Sequence, residues 1–265
     1  VSARQNFVPF PPSGLVIALQ YWQGDEAAAM RLARLLADIE PRRRHDDVML
    51  AFCRRFDTPL TPLAHETILY CGLKFGVCQV KSEREGVGHP DGSFGLWAGT
   101  LDKLADGWIS GYINAHSVFM VEADGCPVAR DWIDRLKREH ELTIAMGKRI
   151  TGAVMEHAVP HVNGGLMMHL SAWLDRPSLH RTPPRQAFDM FHAAVMMAEA
   201  RATGLILNPY GSKGWTPGVL DEIGHNVCWL NNVKDDSVVS WAERTLVAPR
   251  APVPIGTEDT APAAI

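Results

Sequence analysis

Residues Ser117 to Val128 read SVFMVEADGCPV, and the fold turns on how that stretch is taken. An apolar run of strand length ends in two carboxylates, Glu122 and Asp124, spaced i, i+2, and Gly125, Cys126 and Pro127 follow. Side chains alternate along an extended chain, so both carboxylates point the same way from the mouth of a buried strand. Two like charges that close repel unless a cation lies between them. A hard divalent ion, Mg²⁺ or Mn²⁺, prefers carboxylate and phosphate oxygens. A strand terminus carrying two solvated acids is the plain alternative. In an open parallel sheet, however, ligands sit beyond the carboxyl ends of the strands, and that position favours the metal.

Working outward, the N-terminal half reads as a βαβ unit. GLVIALQY (Gly14 to Tyr21) is a continuous apolar run after a Pro-Pro-Ser-Gly entry, as expected of a strand buried on both faces. WQGD then supplies a turn with Asp25 at the N-cap position. From Glu26 to Ile39 the apolar residues Ala28, Leu32, Leu35, Leu36 and Ile39 share one helical face, and Pro41 closes the helix. DDVMLAFC (Asp46 to Cys53) is a second strand, which implies parallel pairing through a right-handed crossover. FGVCQV (Phe75 to Val80) is a third. The spacing predicts a long loop over KSEREGVGHPDGSFG, a helix near Thr100 to Ala105, another from Arg130 to about Glu139, and a long one from Gln186 to Ala202 capped by Gly204. The fold class is therefore α/β, a mostly parallel central sheet flanked by helices with a Rossmann-like N-terminal half. One domain is expected over 1–247, with a Pro/Ala-rich flexible tail over 248–265.

The chain has 265 residues, 46% hydrophobic and 21% charged, which suits one large α/β domain. No apolar run approaches the roughly 18 residues of a membrane span, and the first residues lack the layout of a signal peptide. Five cysteines without a CxxC pair read as reduced thiols, pointing to the cytoplasm. Neither a GxGxxG fingerprint nor a P-loop follows the first strand, so a nucleotide would be held without those devices.

The order βαβ, an acidic pair at a strand end, then HVNGGLMM (His161 to Met168), resembles a GT-A glycosyltransferase over roughly Gly14 to Ala242. The resemblance implies a GT-A-like single domain that takes a sugar from a nucleotide-sugar donor, a UDP-sugar first of all, to a hydroxyl acceptor. It places Mn²⁺ or Mg²⁺ on Glu122 and Asp124. It gives the base to Gln20, Tyr21 and Trp22 with Asp57, and the donor sugar or acceptor side to Asn163, Gly164 and Gly165. Lys234 is the implied phosphate cation, and His225 is the candidate third metal ligand ahead of Asn231. A carboxylate base for the acceptor hydroxyl falls first on Asp189, with Asp175, Asp221 and Glu222 as competitors and a first-turn helix acid as the plain reading of Asp189.

Three other classes compete. His157 and His161, spaced i, i+4, suggest zinc, but HExxH is absent and Pro160 opposes a helix there. A metal-dependent nucleotidyltransferase would share the acids but wants a Gly-rich basic loop near the first strand. A non-catalytic nucleotide-sugar, carbohydrate or nucleic-acid binding module could use one of the scattered tryptophans as a platform. NPYGSKGWTPG (Asn208 to Gly218) is either a surface loop or one that closes over a ligand.

The acceptor is open. Some sequences of the resembled kind are phage-encoded and modify hydroxymethylated bases in DNA, which would place the protein in a host cytoplasm. DNA requires that Arg42 to Arg44, Arg135, Lys137, Arg138 or Lys213 gather on the face carrying Glu122 and Asp124. The formal net charge of −4 favours a small or carbohydrate acceptor instead. Oligomeric state is not legible.

Overall fold

Every side chain of β1 (Leu15–Tyr21) is buried, as a continuous apolar run must be when both faces of a strand are covered. The structure is a computed structural model and describes residues 14–156, 159–208, 220, 226–233 and 236–247. The chain continues through α1 (Glu26–Ile39), β2 (Arg44–Arg54), α2 (Pro62–Cys71), β3 (Phe75–Lys81), α3 (Asp91–Ile109) and β4 (Ser117–Glu122). Then come β5 (Cys126–Pro127), α4 (Trp132–Ala145), β6 (Ile150–Gly152), β7 (Val154–Met155), β8 (His161–Val162) and β9 (Met167–His169). The last described elements are α5 (Leu170–Leu174), a 3₁₀ turn (Pro177–His180), α6 (Phe188–Phe191), α7 (Ala193–Glu199), β10 (Ala200–Ala202), β11 (Ile206–Leu207), β12 (Trp229–Leu230) and α8 (Asp236–Thr245).

The central sheet has seven strands in the order β10-β6-β9-β4-β1-β2-β3, and only β9 runs against its neighbours. Two cores follow from the period-2 alternation of β1. Leu15, Ile17, Leu19 and Tyr21 face α1, α2, α4 and α8, whereas Val16 and Ala18 face α3, α5 and α7. Ile17 is fully buried between the layers, so Ile17→Ala would cost about 2–5 kcal/mol. A three-stranded sheet, β11-β12-β5, sits beyond the end of β4.

Two expected elements differ. The glycine-rich stretch read as a loop, Lys81 to Gly95, is irregular only from Ser82 to Pro90; Asp91 to Gly95 already form the start of α3, which runs to Ile109. Its glycines mark close packing: a Cβ on Gly95 would crowd the carbonyls of Arg84 and Glu85, and one on Gly99 would overlap the Ser82 hydroxyl. The single helix expected over Gln186 to Ala202 is two short helices and a strand. β10 takes its last residues because they complete parallel pairing with β6, Ala200 beside Ile150 and Ala202 beside Gly152. Tertiary hydrogen bonding overrides the helical preference of an alanine-rich run.

Candidate active site at the mouth of the central sheet

Parallel pairing of β1 with β4 sets Gln20 beside Glu122, so both strands end at one level. The chain then turns sharply, with the Gly125 amide donating to the Glu122 carbonyl at 3.0 Å. Cys126 and Pro127 pair with Leu230 and Trp229, and the Val233 amide donates to the Asp124 carbonyl at 2.7 Å. The two acids are thus held between the central sheet and the small one.

They open onto a cavity of about 730 Å³ whose wall includes Gln20, Trp22, Asp25, Arg31, Arg55 and Asp236. The WQGD turn closes reciprocally: the Asp25 carboxylate accepts the Trp22 amide at 2.8 Å and the Asp25 amide donates to the Trp22 carbonyl at 3.2 Å. Asp25 stands at the N-cap of α1, but its carboxylate turns back to Trp22 instead of capping the helix. The indole lies over Gly24, where no Cβ could fit, and Trp22 remains 45% exposed. Arg55 stands 5.0 Å from the Trp22 ring and is fixed by a fork onto Asp57 at 2.7 and 2.8 Å. A half-exposed indole therefore shares the cavity wall with four carboxylates, Asp25, Glu122, Asp124 and Asp236.

Burial pushes the Asp25 carboxyl up, and the charge of Asp124 pushes it further, against the Trp22 amide and Arg55. Crowded hard oxygens of this kind suit a divalent cation. Among the described residues no three His, Cys, Asp or Glu side chains converge as a complete ligand set. Glu122 and Asp124 would supply the chain's share of the shell, with ligand oxygens or water supplying the rest.

The expected site residues divide. Gln20, Trp22, Glu122 and Asp124 line the cavity. Tyr21 does not: the alternation of β1 turns it into the core, where it is 1% exposed and burial pushes its phenol up to about 12. Asp57 acts one step back, through Arg55. Asn163 to Gly165 form a knot, not an open wall. The Gly165 amide donates to Asn163 Oδ1 at 3.0 Å, and Asn231 Nδ2 donates to the same oxygen at 3.3 Å and to the Gly165 carbonyl at 3.2 Å. Gly164 packs under Phe188. Asn231 also accepts the Trp229 indole N–H at 2.8 Å, so its amide serves the fold.

Asp189 sits in the first turn of α6, 3.8 Å from His161, and is not part of the cavity wall. His161 Nδ1 lies 2.9 Å from the Val159 carbonyl. His225, Lys234 and His157 lie outside the described residues, as does the loop after Asn208. Sequence reading missed Arg31, Arg55 and Asp236 as cavity residues. The available signal for Arg31 was its place three residues after Ala28 and one before Leu32 on α1, both of which line the cavity.

Two of the basic residues on which a DNA acceptor depended, Arg44 and Lys137, lie at the other end of the sheet. Arg44 opens β2 and Lys137 lines a smaller cavity with Gly14 and Ser117, where β1 and β4 begin. Arg44 is 3% exposed and neutralised by Glu40, Asp47 and Asp134; Arg42 pairs with Asp134, Lys137 with Asp47, and Arg135 with Asp131. The Arg44–Asp134 and Lys137–Asp47 pairs join α4 to β2, and Lys213 lies outside the described residues.

The architecture matches solved GT-A glycosyltransferase structures. The chain superimposes on a bifunctional glycosyltransferase, WbbM, with a TM-score of 0.53 at 5% identity, over 86% of this chain and 47% of that one. Mouse xyloside xylosyltransferase 1 gives 0.52 at 10% identity, over 84% of this chain and 99% of that one. The glycosyltransferase GlyE of Streptococcus pneumoniae gives 0.52 at 10% identity, over 89% and 61%. The chain thus spans about half of WbbM and under two thirds of GlyE. No family model and no curated protein matches the sequence. At these identities the likeness is one of fold. Among the described residues no helix is long and apolar enough to cross a membrane.

Proposed function

We propose that this chain is a glycosyltransferase that binds a nucleotide-sugar donor in the cavity at the end of β4 and transfers the sugar to a hydroxyl acceptor. The observation that carries the reading is the meeting of Glu122 and Asp124 with the exposed Trp22 face in one cavity of about 730 Å³. That volume lies in the range of small-ligand sites. Trp22, backed by Arg55, offers a stacking surface for the base, and Gln20 offers a hydrogen-bonding amide. Glu122 and Asp124 would hold Mn²⁺ or Mg²⁺ against the donor diphosphate. A bound ion there supplies electrostatic relief for charge building on the departing diphosphate. Lys234 is proposed as a further phosphate cation. The acceptor is proposed to be a carbohydrate or small-molecule hydroxyl, in keeping with the formal net charge of −4 and with Arg44 and Lys137 paired at the far end of the sheet.

The test is turnover. A panel of nucleotide sugars is incubated with the protein and Mn²⁺, with water or simple sugars as acceptors, and released nucleoside diphosphate is measured. Release from one donor class that stops in EDTA supports the reading. Tight binding of a donor without any turnover would make the protein a binding module instead.

A further inference from the structure

Asp25, Ala28, Arg31 and Leu32 occupy one face of α1, and all four line the cavity. The Arg31 guanidinium is held by two unequal arms. Nε and Nη2 fork onto Glu243 of α8 at 2.8 and 2.9 Å, and Nη2 also donates to Ser240 at 3.0 Å. Nη1 reaches Asp236 at 3.1 Å. The Glu243 carboxyl is held below its usual range, chiefly by hydrogen bonds from Arg31. Asp236, by contrast, is 93% exposed. An ion pair so exposed is weak and easily exchanged.

Charge on the wall gives the exchange a purpose. Among the described lining residues, Asp25, Glu122, Asp124 and Asp236 share the wall with two guanidinium groups, Arg31 and Arg55. Arg55 is committed to Asp57 and to the Trp22 ring. A divalent cation on the acids would bring the wall near neutrality, leaving a diphosphate's own charge for a cation of the chain to meet. Arg31 is in place for it: it lines the same cavity as Glu122 and Asp124.

We propose that Arg31 is a diphosphate-binding residue held in reserve by Asp236. Nη1 leaves the Asp236 carboxylate for a phosphate oxygen, while the Glu243 fork keeps the guanidinium aimed into the cavity. Asp236 then acts as a placeholder anion that competes with the ligand. The assignment rests on the donor reading above and adds to it a residue and a competition that the sequence pattern did not single out.

The experiment is calorimetric titration of the whole chain with inorganic pyrophosphate and Mn²⁺, with UDP and Mn²⁺, and with uridine. Wild type is compared with Arg31→Gln, Asp236→Asn and the double variant. Loss of a charge-assisted hydrogen bond predicts that Arg31→Gln weakens pyrophosphate and UDP binding by about tenfold or more and leaves uridine unchanged. Asp236→Asn alters an exposed side chain and should fold normally. It is expected to tighten both phosphate ligands severalfold, and the gain should vanish in the double variant. Unchanged phosphate affinity in Arg31→Gln would overturn the assignment of Arg31 alone. So would a gain from Asp236→Asn that persists without Arg31, since that is a general charge effect. Failure of folded wild type to bind pyrophosphate or UDP with Mn²⁺ would overturn the donor reading, and this assignment with it.

Discussion

Gly125 lies directly against the indole of Trp229: a Cβ at position 125 would come within 2.5 Å of Cζ2. Trp229 cannot retreat, because it is fully buried, its ring centroid is 5.0 Å from both Phe119 and Trp132, and its N–H is fixed on Asn231. The contact seats the turn that carries Glu122 and Asp124. Gly125→Ala is therefore expected to cost about 1–3 kcal/mol through overpacking and to weaken Mn²⁺-dependent nucleotide binding. Denaturant unfolding together with a nucleotide titration checks it. A variant with wild-type stability and affinity would mean that the turn is not held by this packing.

Trp22 is predicted to act through its open face. Trp22→Ala should weaken nucleotide binding by about 1–3 kcal/mol, the usual range for loss of an aromatic platform under a base, and should leave pyrophosphate binding unchanged. Trp22→Phe should recover part of the loss. Equal losses for nucleotide and pyrophosphate would point to collapse of the WQGD turn instead.

At the opposite end of the sheet a histidine cluster governs acid stability. His140 is 2% exposed with Nδ1 2.9 Å from Thr151, and burial, then His169 and His116, push its pKa down to about 3. His169 is pushed down to about 4 by burial, then by His116 and Arg149, with Asp175 opposing. Both folded values lie below the unfolded value near 6.5, so folding favours the neutral rings. Their contribution is full above pH 6.5 and is lost as pH falls from there toward 4 and then 3, by up to about 1.4 kcal/mol per pH unit for His140 and by less for the half-buried, screened His169. His140→Gln should flatten the fall of unfolding free energy between pH 6 and 4. Parallel curves for variant and wild type would contradict this.

Asp189 pairs with His161 outside the cavity wall. Asp189→Asn is accordingly expected to leave nucleotide binding intact and to change turnover little. A fall in kcat of about 10²-fold or more at unchanged Tm would instead establish it as the acceptor base, since general-base contributions are of that size.

The N-terminal βαβ unit and the acidic pair were legible because both depend on local pattern. β1 and α1 announce themselves by apolar periodicity, and Glu122 with Asp124 ends an apolar run. Legibility fails where long-range contact decides. The glycines of α3 read as loop punctuation, yet they let the helix approach the segment from Ser82 to Glu85. The alanine-rich run after Gln186 reads as one helix until β6 offers its edge. In HVNGGLMM the Asn-Gly-Gly stretch reads as a ligand loop, whereas Asn163 and Gly165 are tied to Asn231 from a distant part of the chain. Arg31 and Arg55 look like ordinary surface cations until the fold gathers them around the acids.

The central claim is that Glu122 and Asp124 hold a divalent metal on a donor diphosphate, and one measurement meets it directly. Thermal unfolding of wild type and Asp124→Asn is recorded with UDP and with UDP-sugars, each with Mn²⁺ and with EDTA. A ligand present at about 100 times its Kd adds about 2.7 kcal/mol, which for a domain of this size raises Tm by several degrees. The account predicts that rise in wild type with Mn²⁺, its disappearance in EDTA, and its absence in Asp124→Asn, whose ligand-free Tm stays near that of wild type. Equal stabilisation in EDTA, or an undiminished rise in Asp124→Asn, would contradict it.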